Sequence, residues 1–101
     1  MRLVLAPKAE EDLDDLWVYI ATESGSEPTA TRVLRSVADA LLLIAKFPHL
    51  GRSRDLDLKS GYRSFPVNNY VIFYRIRPGV VQVIRILHGS RDVQELLGDA
   101  N

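Results

Sequence analysis

The chain has 101 residues, 47% of them hydrophobic, which suits one packed domain spanning residues 1–101 and leaves no room for a second. It contains no cysteine, which excludes a disulfide framework and thiolate metal sites. No apolar run approaches the ~18 residues needed to span a bilayer, and the N-terminal run is too short for a signal peptide, so a cytoplasmic location is expected. Thirteen basic and thirteen acidic side chains cancel, but residues 1–50 hold five Lys/Arg against eight Asp/Glu. Residues 51–91 hold eight basic groups (Arg52, Arg54, Lys59, Arg63, Arg75, Arg77, Arg85, Arg91) against only Asp55 and Asp57. A positive half of this kind suits an acidic protein surface or phosphates.

Residues 2–5 form a short apolar strand candidate, and Pro7 then marks a first helical turn, where its missing N–H costs nothing. Leu13, Leu16, Trp17 and Ile20 follow at helical spacing. Glu10, Glu11, Asp12, Asp14 and Asp15 crowd the opening turns, where the macrodipole favours negative charge; helix stabilisation explains them more simply than a paired-carboxylate site. Ser24-Gly25-Ser26-Glu27-Pro28 predicts a turn. A second amphipathic pattern (Ala30, Val33, Leu34, Val37, Ala38, Leu41, Ile44, Ala45) runs to Phe47-Pro48, where the residue before proline leaves helical geometry. The two segments read as a helical hairpin facing a common core.

Residues 48–61 lack a sustained period and read as a basic loop, mobile unless bound to something. Strands are predicted over Tyr62–Val67, 70–76 and 80–87, with turns at Asn68-Asn69 and Pro78-Gly79, and residues 92–97 suit a short C-terminal helix. The fold class is therefore α+β: an N-terminal strand and a helical hairpin packed on an antiparallel sheet.

If the Pro78-Gly79 loop is even, Ile76 lies opposite Val81 and counting outward sorts the last hairpin into two faces. Tyr70, Ile72, Tyr74, Ile76, Val81, Val83, Arg85 and Leu87 would face the helices. Val71, Phe73, Arg75, Gln82, Ile84, Ile86 and His88 would form an open face, apolar at its centre, suited to docking a protein. A folded-back loop or tail, or a second copy, would cover the same face. His49 and His88 are the only histidines and cannot by themselves assemble a zinc site; no metal or cofactor is expected.

Pro7-Lys8-Ala9, Asp12-Leu13, Trp17, Phe47-Pro48-His49-Leu50-Gly51-Arg52, Gly61-Tyr62-Arg63, Tyr70-Val71-Ile72-Phe73-Tyr74-Arg75 and Leu87-His88-Gly89-Ser90-Arg91-Asp92 stand in an order that resembles the ParE branch of the RelE/ParE toxins. Ala6 departs from that pattern, where a hydroxyl residue often precedes the proline. The resemblance implies a toxin of a type II toxin–antitoxin pair, neutralised by an antitoxin, with DNA gyrase as target and no sequence-specific nucleic-acid binding of its own. RelE-like relatives cut messenger RNA on the ribosome, and an inactive antitoxin-binding module fits the same surfaces. Relative to the RelE pattern, Val71 stands where an arginine follows the strand tyrosine, and Ser64-Phe65 follow Arg63 where lysine is expected. A non-enzymatic inhibitor is therefore favoured over a nuclease. The expected target contacts are Arg63, Arg75, Arg85 and Arg91, and the expected antitoxin contacts Trp17, Val71, Phe73, Ile84 and Ile86. Were the chain a nuclease, Arg63, His88 and Arg91 would carry the chemistry.

Overall fold

A computed structural model of the chain describes residues 1–58 and 61–91. The elements run β1 (Arg2–Leu5), α1 (Pro7–Ser24), α2 (Glu27–Lys46), a 3-10 turn at Pro48–Leu50, β2 (Arg52–Ser53), β3 (Tyr62–Val67), β4 (Tyr70–Arg77) and β5 (Val80–His88). The C-terminal helix expected over residues 92–97 lies outside the described residues.

Local chemistry sets the boundaries. Pro7 opens α1 directly from β1; Ala6 provides no side-chain cap, as its lack of a hydroxyl dictates. Gly25 ends the helix with φ 66°, a left-handed conformation that glycine adopts without a Cβ clash. Ser26 then caps α2, its Oγ accepting the N–H of Thr29 at 3.2 Å. Pro48 stops α2, and the backbone tightens into the 3-10 turn instead of remaining irregular.

The sheet order is β1-β5-β4-β3-β2. Strands β2 to β5 are antiparallel neighbours, and β1 joins parallel to β5, so the sheet is mixed. The helical hairpin covers one face: Ala9, Leu16, Val37, Leu41 and Ile44 pack on Ile72, Tyr74, Val81, Val83 and Ile86. This is the two-layer burial that one amphipathic stripe per helix requires.

Ile76 does pair with Val81, but the simple count fails further along. Tyr74 pairs with Val83 while Phe73 pairs with Arg85, so Ile84 is an extra residue on β5 and a β-bulge interrupts the ladder. The bulge reverses the faces beyond it. Ile86, expected on the open face, is only 2% exposed in the core beneath the helices, whereas Leu87, expected under the helices, packs with Phe73 and Ile84 on the other side. His88 comes into register with Tyr70 on the helix side.

Candidate functional site

The apolar centre of the second sheet face is not open. Tyr62, Phe73, Ile84 and Leu87 form a small core there, with Val71 and Leu58 packed against it, and Phe73 is fully buried. The segment after β2 supplies the cover. Arg54 lies over the Phe73 ring at 5.6 Å, donates to Ser64 Oγ at 3.1 Å and pairs with Asp57. The Leu58 N–H closes a turn onto the Arg54 carbonyl at 2.8 Å. The docking role expected of Phe73, Ile84 and Val71 as an uncovered patch is therefore corrected: the basic loop itself shields them, because leaving so large an apolar cluster in water is costlier than ordering the loop. Ile86 is removed from that patch by the bulge. Trp17 remains partly exposed on the hairpin and donates its indole N–H to Thr31 Oγ1 at 3.3 Å, bridging α1 to α2.

Arg63 lies on the helix side of β3, in register with Tyr74. Its Nη1 donates to the Gly51 carbonyl at 2.7 Å. The Tyr74 hydroxyl donates to the Pro48 carbonyl at 2.7 Å and accepts the Gly51 N–H at 2.8 Å. Burial raises the Tyr74 phenol above its usual pKa, against the smaller opposing effects of the Gly51 N–H and the Arg63 charge, so it stays a neutral donor. Gly51 has no room for a side chain, since a Cβ there would sit 2.7 Å from a Tyr74 ring carbon and 2.9 Å from the Ser64 carbonyl oxygen. Arg63 and Tyr74 thus pin the turn after α2 to the sheet.

Arg85 is engaged from the opposite side. Strand β1 leaves the edge of β5 at the Leu5/Val83 pair, so among the described residues β5 beyond that point has no strand neighbour on that edge. Asp12, one turn into α1, fills the gap: it accepts the Ile86 N–H at 2.9 Å and holds Arg85 through Nε at 2.8 Å and Nη2 at 2.9 Å. The hydrogen bonding of Arg85 to Asp12, opposed by burial and supported by the charges of Asp12 and Glu11, raises the Arg85 pKa. Asp12 is therefore more than one acid among five on a helix start, because it is the residue that closes the sheet edge.

Next to this pair opens a cleft of about 350 Å³ between α1 and the end of β5, lined by Asp15, Leu16, Tyr19, Tyr70, His88 and Arg91 among others. His88 packs edge-on against Tyr70 with ring centroids 5.3 Å apart. The Ser90 N–H lies 3.1 Å from His88 Nδ1 and the Ser90 Oγ 2.7 Å from the same nitrogen, so this turn fixes the orientation of the ring. Burial, and to a lesser degree Tyr19, raises the pKa of Tyr70.

The structure thus brings His88 and Arg91 together at one cleft and places Arg63 elsewhere. Arg63 is in register with Tyr74 and His88 with Tyr70, four residues apart on β4, or about 13 Å along the strand. Arg75 occupies the face opposite the helices, with its Nε donating to Gln82 Oε1 at 2.8 Å. Among the described residues no cluster of His, Asp or Glu is arranged to hold a metal ion, and no helix is long and apolar enough to cross a membrane.

Residues 3–93 match the model of a family described as "ParE toxin of type II toxin-antitoxin system, parDE". The chain is 37% identical over 95 residues to Toxin ParE1 of Caulobacter vibrioides, covering 93% of this chain and 95% of that protein. It is 31% identical over 97 residues to Toxin ParE1 of Mycobacterium tuberculosis, covering 95% and 97% respectively. A solved structure titled "Chromosomal ParDE TA system from P. aeruginosa" has the same fold, with TM-score 0.76 at 19% identity over 87% of this chain and 95% of that chain.

Proposed function

The chain belongs to the ParE toxin family of type II toxin–antitoxin systems, and we propose that it acts by docking on DNA gyrase and blocking it, with a cognate antitoxin as its neutralising partner. The observation that carries inhibition over RNA cleavage is the use made of the arginines. A metal-free nuclease must aim cations at one phosphate to stabilise the developing charge. Here the Arg63 guanidinium bonds the Gly51 carbonyl and that of Arg85 is held by Asp12, so both serve the fold. Of the four arginines expected to meet the target, Arg91 is exposed, and Arg75, half-buried, bonds Gln82 rather than an anion or a backbone carbonyl.

The antitoxin is assigned to the cleft between α1 and β5 and the adjoining hairpin surface. Leu16, Tyr19 and Tyr70 supply apolar area there, Asp15 and Arg91 supply charges of both signs, and among the described residues no strand runs along β5 beyond the Ile86 N–H that Asp12 accepts. A segment that gains order on binding suits such a groove, since its side chains and backbone find partners along its length. Trp17, expected among the antitoxin contacts, bonds Thr31 on α2 and is not among the residues that line this cleft.

The test is to assay gyrase supercoiling and ribosome-dependent messenger cleavage side by side with the purified chain. Loss of supercoiling with intact messenger is expected. Cut messenger with normal supercoiling would transfer the chain to the nuclease class, and no effect in either assay, with antitoxin still bound, would make it a sequestering module.

A further inference from the structure

The charge division along the sequence becomes a division between layers. Helices α1 and α2 carry eight Asp/Glu against four Lys/Arg. The five strands carry six arginines (Arg2, Arg52, Arg63, Arg75, Arg77, Arg85) and no acidic residue.

Register sorts these arginines further. Arg2 pairs with Val80, and Val80 with Arg77, so the three lie in one row across β1, β5 and β4. The adjacent row on the same face is Val4, Gln82, Arg75 and Tyr62. The alternate residues Leu3, Val81 and Ile76 pack with the helix-side core, which puts Arg2, Arg75 and Arg77 on the face away from the helices. Backbone spacing sets Arg2 and Arg77 about 10 Å apart across two strand intervals, and Arg77 and Arg75 about 7 Å apart along β4. No salt bridge among the described residues engages any of the three. Gln82 takes only the Nε of Arg75, and so orients the guanidinium while its four terminal N–H groups stay available to an outside acceptor.

We propose that this arginine triad, Arg2, Arg75 and Arg77, braced by Gln82, is a sequence-independent contact for the phosphate backbone of duplex DNA. The inference deepens the gyrase assignment and rests on it for its biological setting, because gyrase holds duplex DNA. The chemistry of the surface selects the partner. A stable protein interface needs a desolvated apolar centre within about 800 Å² on each side, and the apolar side chains in these two rows outside the covered core are Val4 and Val80. A phosphate backbone binds through charge neutralisation and counterion release without apolar burial. A single strand would want exposed rings on which to stack bases, and the one aromatic residue in the two rows, Tyr62, is buried. A helix pair of net negative charge on the opposite layer orients the molecule with the arginines toward the polyanion.

The experiment titrates the full chain against a fluorescent duplex by anisotropy at 50, 100 and 200 mM salt, with a single strand of the same sequence as a second arm. Three phosphate contacts predict a slope of log K against log[salt] of about −2.7, so affinity should fall roughly 40-fold between 50 and 200 mM. The triple variant Arg2→Gln/Arg75→Gln/Arg77→Gln should bind at least tenfold more weakly at 50 mM, with a nearly flat salt response. Its unfolding curve provides a check on folding, and the slope of the unmodified chain tests the proposal without any variant. Absent duplex binding at 50 mM, a slope near zero, equal binding by the triple variant, or preference for the single strand would each overturn it. Capture of gyrase subunits without DNA that disappears in the triple variant would also overturn it, by making the triad a protein-docking surface. The titration contains no gyrase, so failure of the gyrase assignment would appear in supercoiling alone and leave duplex binding intact.

Discussion

Replacing Asp12 with alanine removes three interactions at once: two hydrogen bonds from Arg85 and one from the Ile86 backbone N–H. The side chains of Arg85 and Asp12 are 12% and 8% exposed, so the variant leaves a largely buried cation without its counter-charge and a buried donor without an acceptor. Breaking one side of a buried pair costs about 3–5 kcal/mol. The adjoining cleft lets some water reach the stranded guanidinium, so the lower end, about 3 kcal/mol, is expected here. For a domain of this size that corresponds to a fall in Tm of about 12–24 °C. Urea unfolding of the purified Asp12→Ala chain, followed by Trp17 fluorescence, measures the loss directly. A cycle with Arg85→Met separates the ion pair from the Ile86 contact: the double variant should cost at least about 1 kcal/mol less than the sum of the singles, because removing the cation removes the need for the anion. Additivity within about 0.4 kcal/mol would refute the coupling, and an Asp12→Ala chain as stable as the original would refute the role of this carboxylate in closing the sheet edge.

Three further perturbations address the other contacts. Tyr74→Phe deletes the hydroxyl shared by Pro48 and Gly51; the orphaned groups should lower stability by about 1–3 kcal/mol in chemical unfolding. Gly51→Ala forces a Cβ against the Tyr74 ring and the Ser64 carbonyl, and a loss of about 1–3 kcal/mol is expected from overpacking. Arg54→Ala should uncover Phe73 and raise binding of a hydrophobic dye to the folded chain, with unchanged dye binding counting against the covering role. Asp57 has its pKa lowered from 3.8, chiefly by the hydrogen bond from Arg54. A carboxyl depressed in the folded state stabilises above its unfolded pKa and loses that contribution as pH falls through the folded value. Because Asp57 is exposed, the consequence is local: the protection of the Leu58 amide, taken relative to its intrinsic exchange at each pH, should fall below the ordinary carboxylate range and stay constant between pH 5 and 8.

The two helices, their boundaries and the pairing of Ile76 with Val81 were legible in the sequence because each depends on neighbours in the chain. Proline supplies its φ, Gly25 its left-handed turn and Ser26 its hydroxyl without help from elsewhere, and a stripe at 3.6-residue spacing records which side of a helix is buried. The family was legible for a similar reason, since its motifs occur as short local runs in a kept order.

The outcome at the sheet depended on contacts between residues distant in sequence. One extra residue at Ile84 inverts the distal end of β5, and alternation alone carries no mark of a bulge. Arg54 and Leu58 read as loop residues, yet they complete the cover over Phe73 that Tyr62, Ile84 and Leu87 begin. Asp12 looked like one more acid favoured by the helix dipole; its true partners, Arg85 and Ile86, lie more than seventy positions away. Arg75 and Arg77 could be placed on one face by their two-residue spacing, whereas Arg2 joins them only because β1 pairs parallel to β5. Local chemistry therefore determined which segments are helix and strand, and tertiary packing decided which arginines are spent on the fold and which face the solvent.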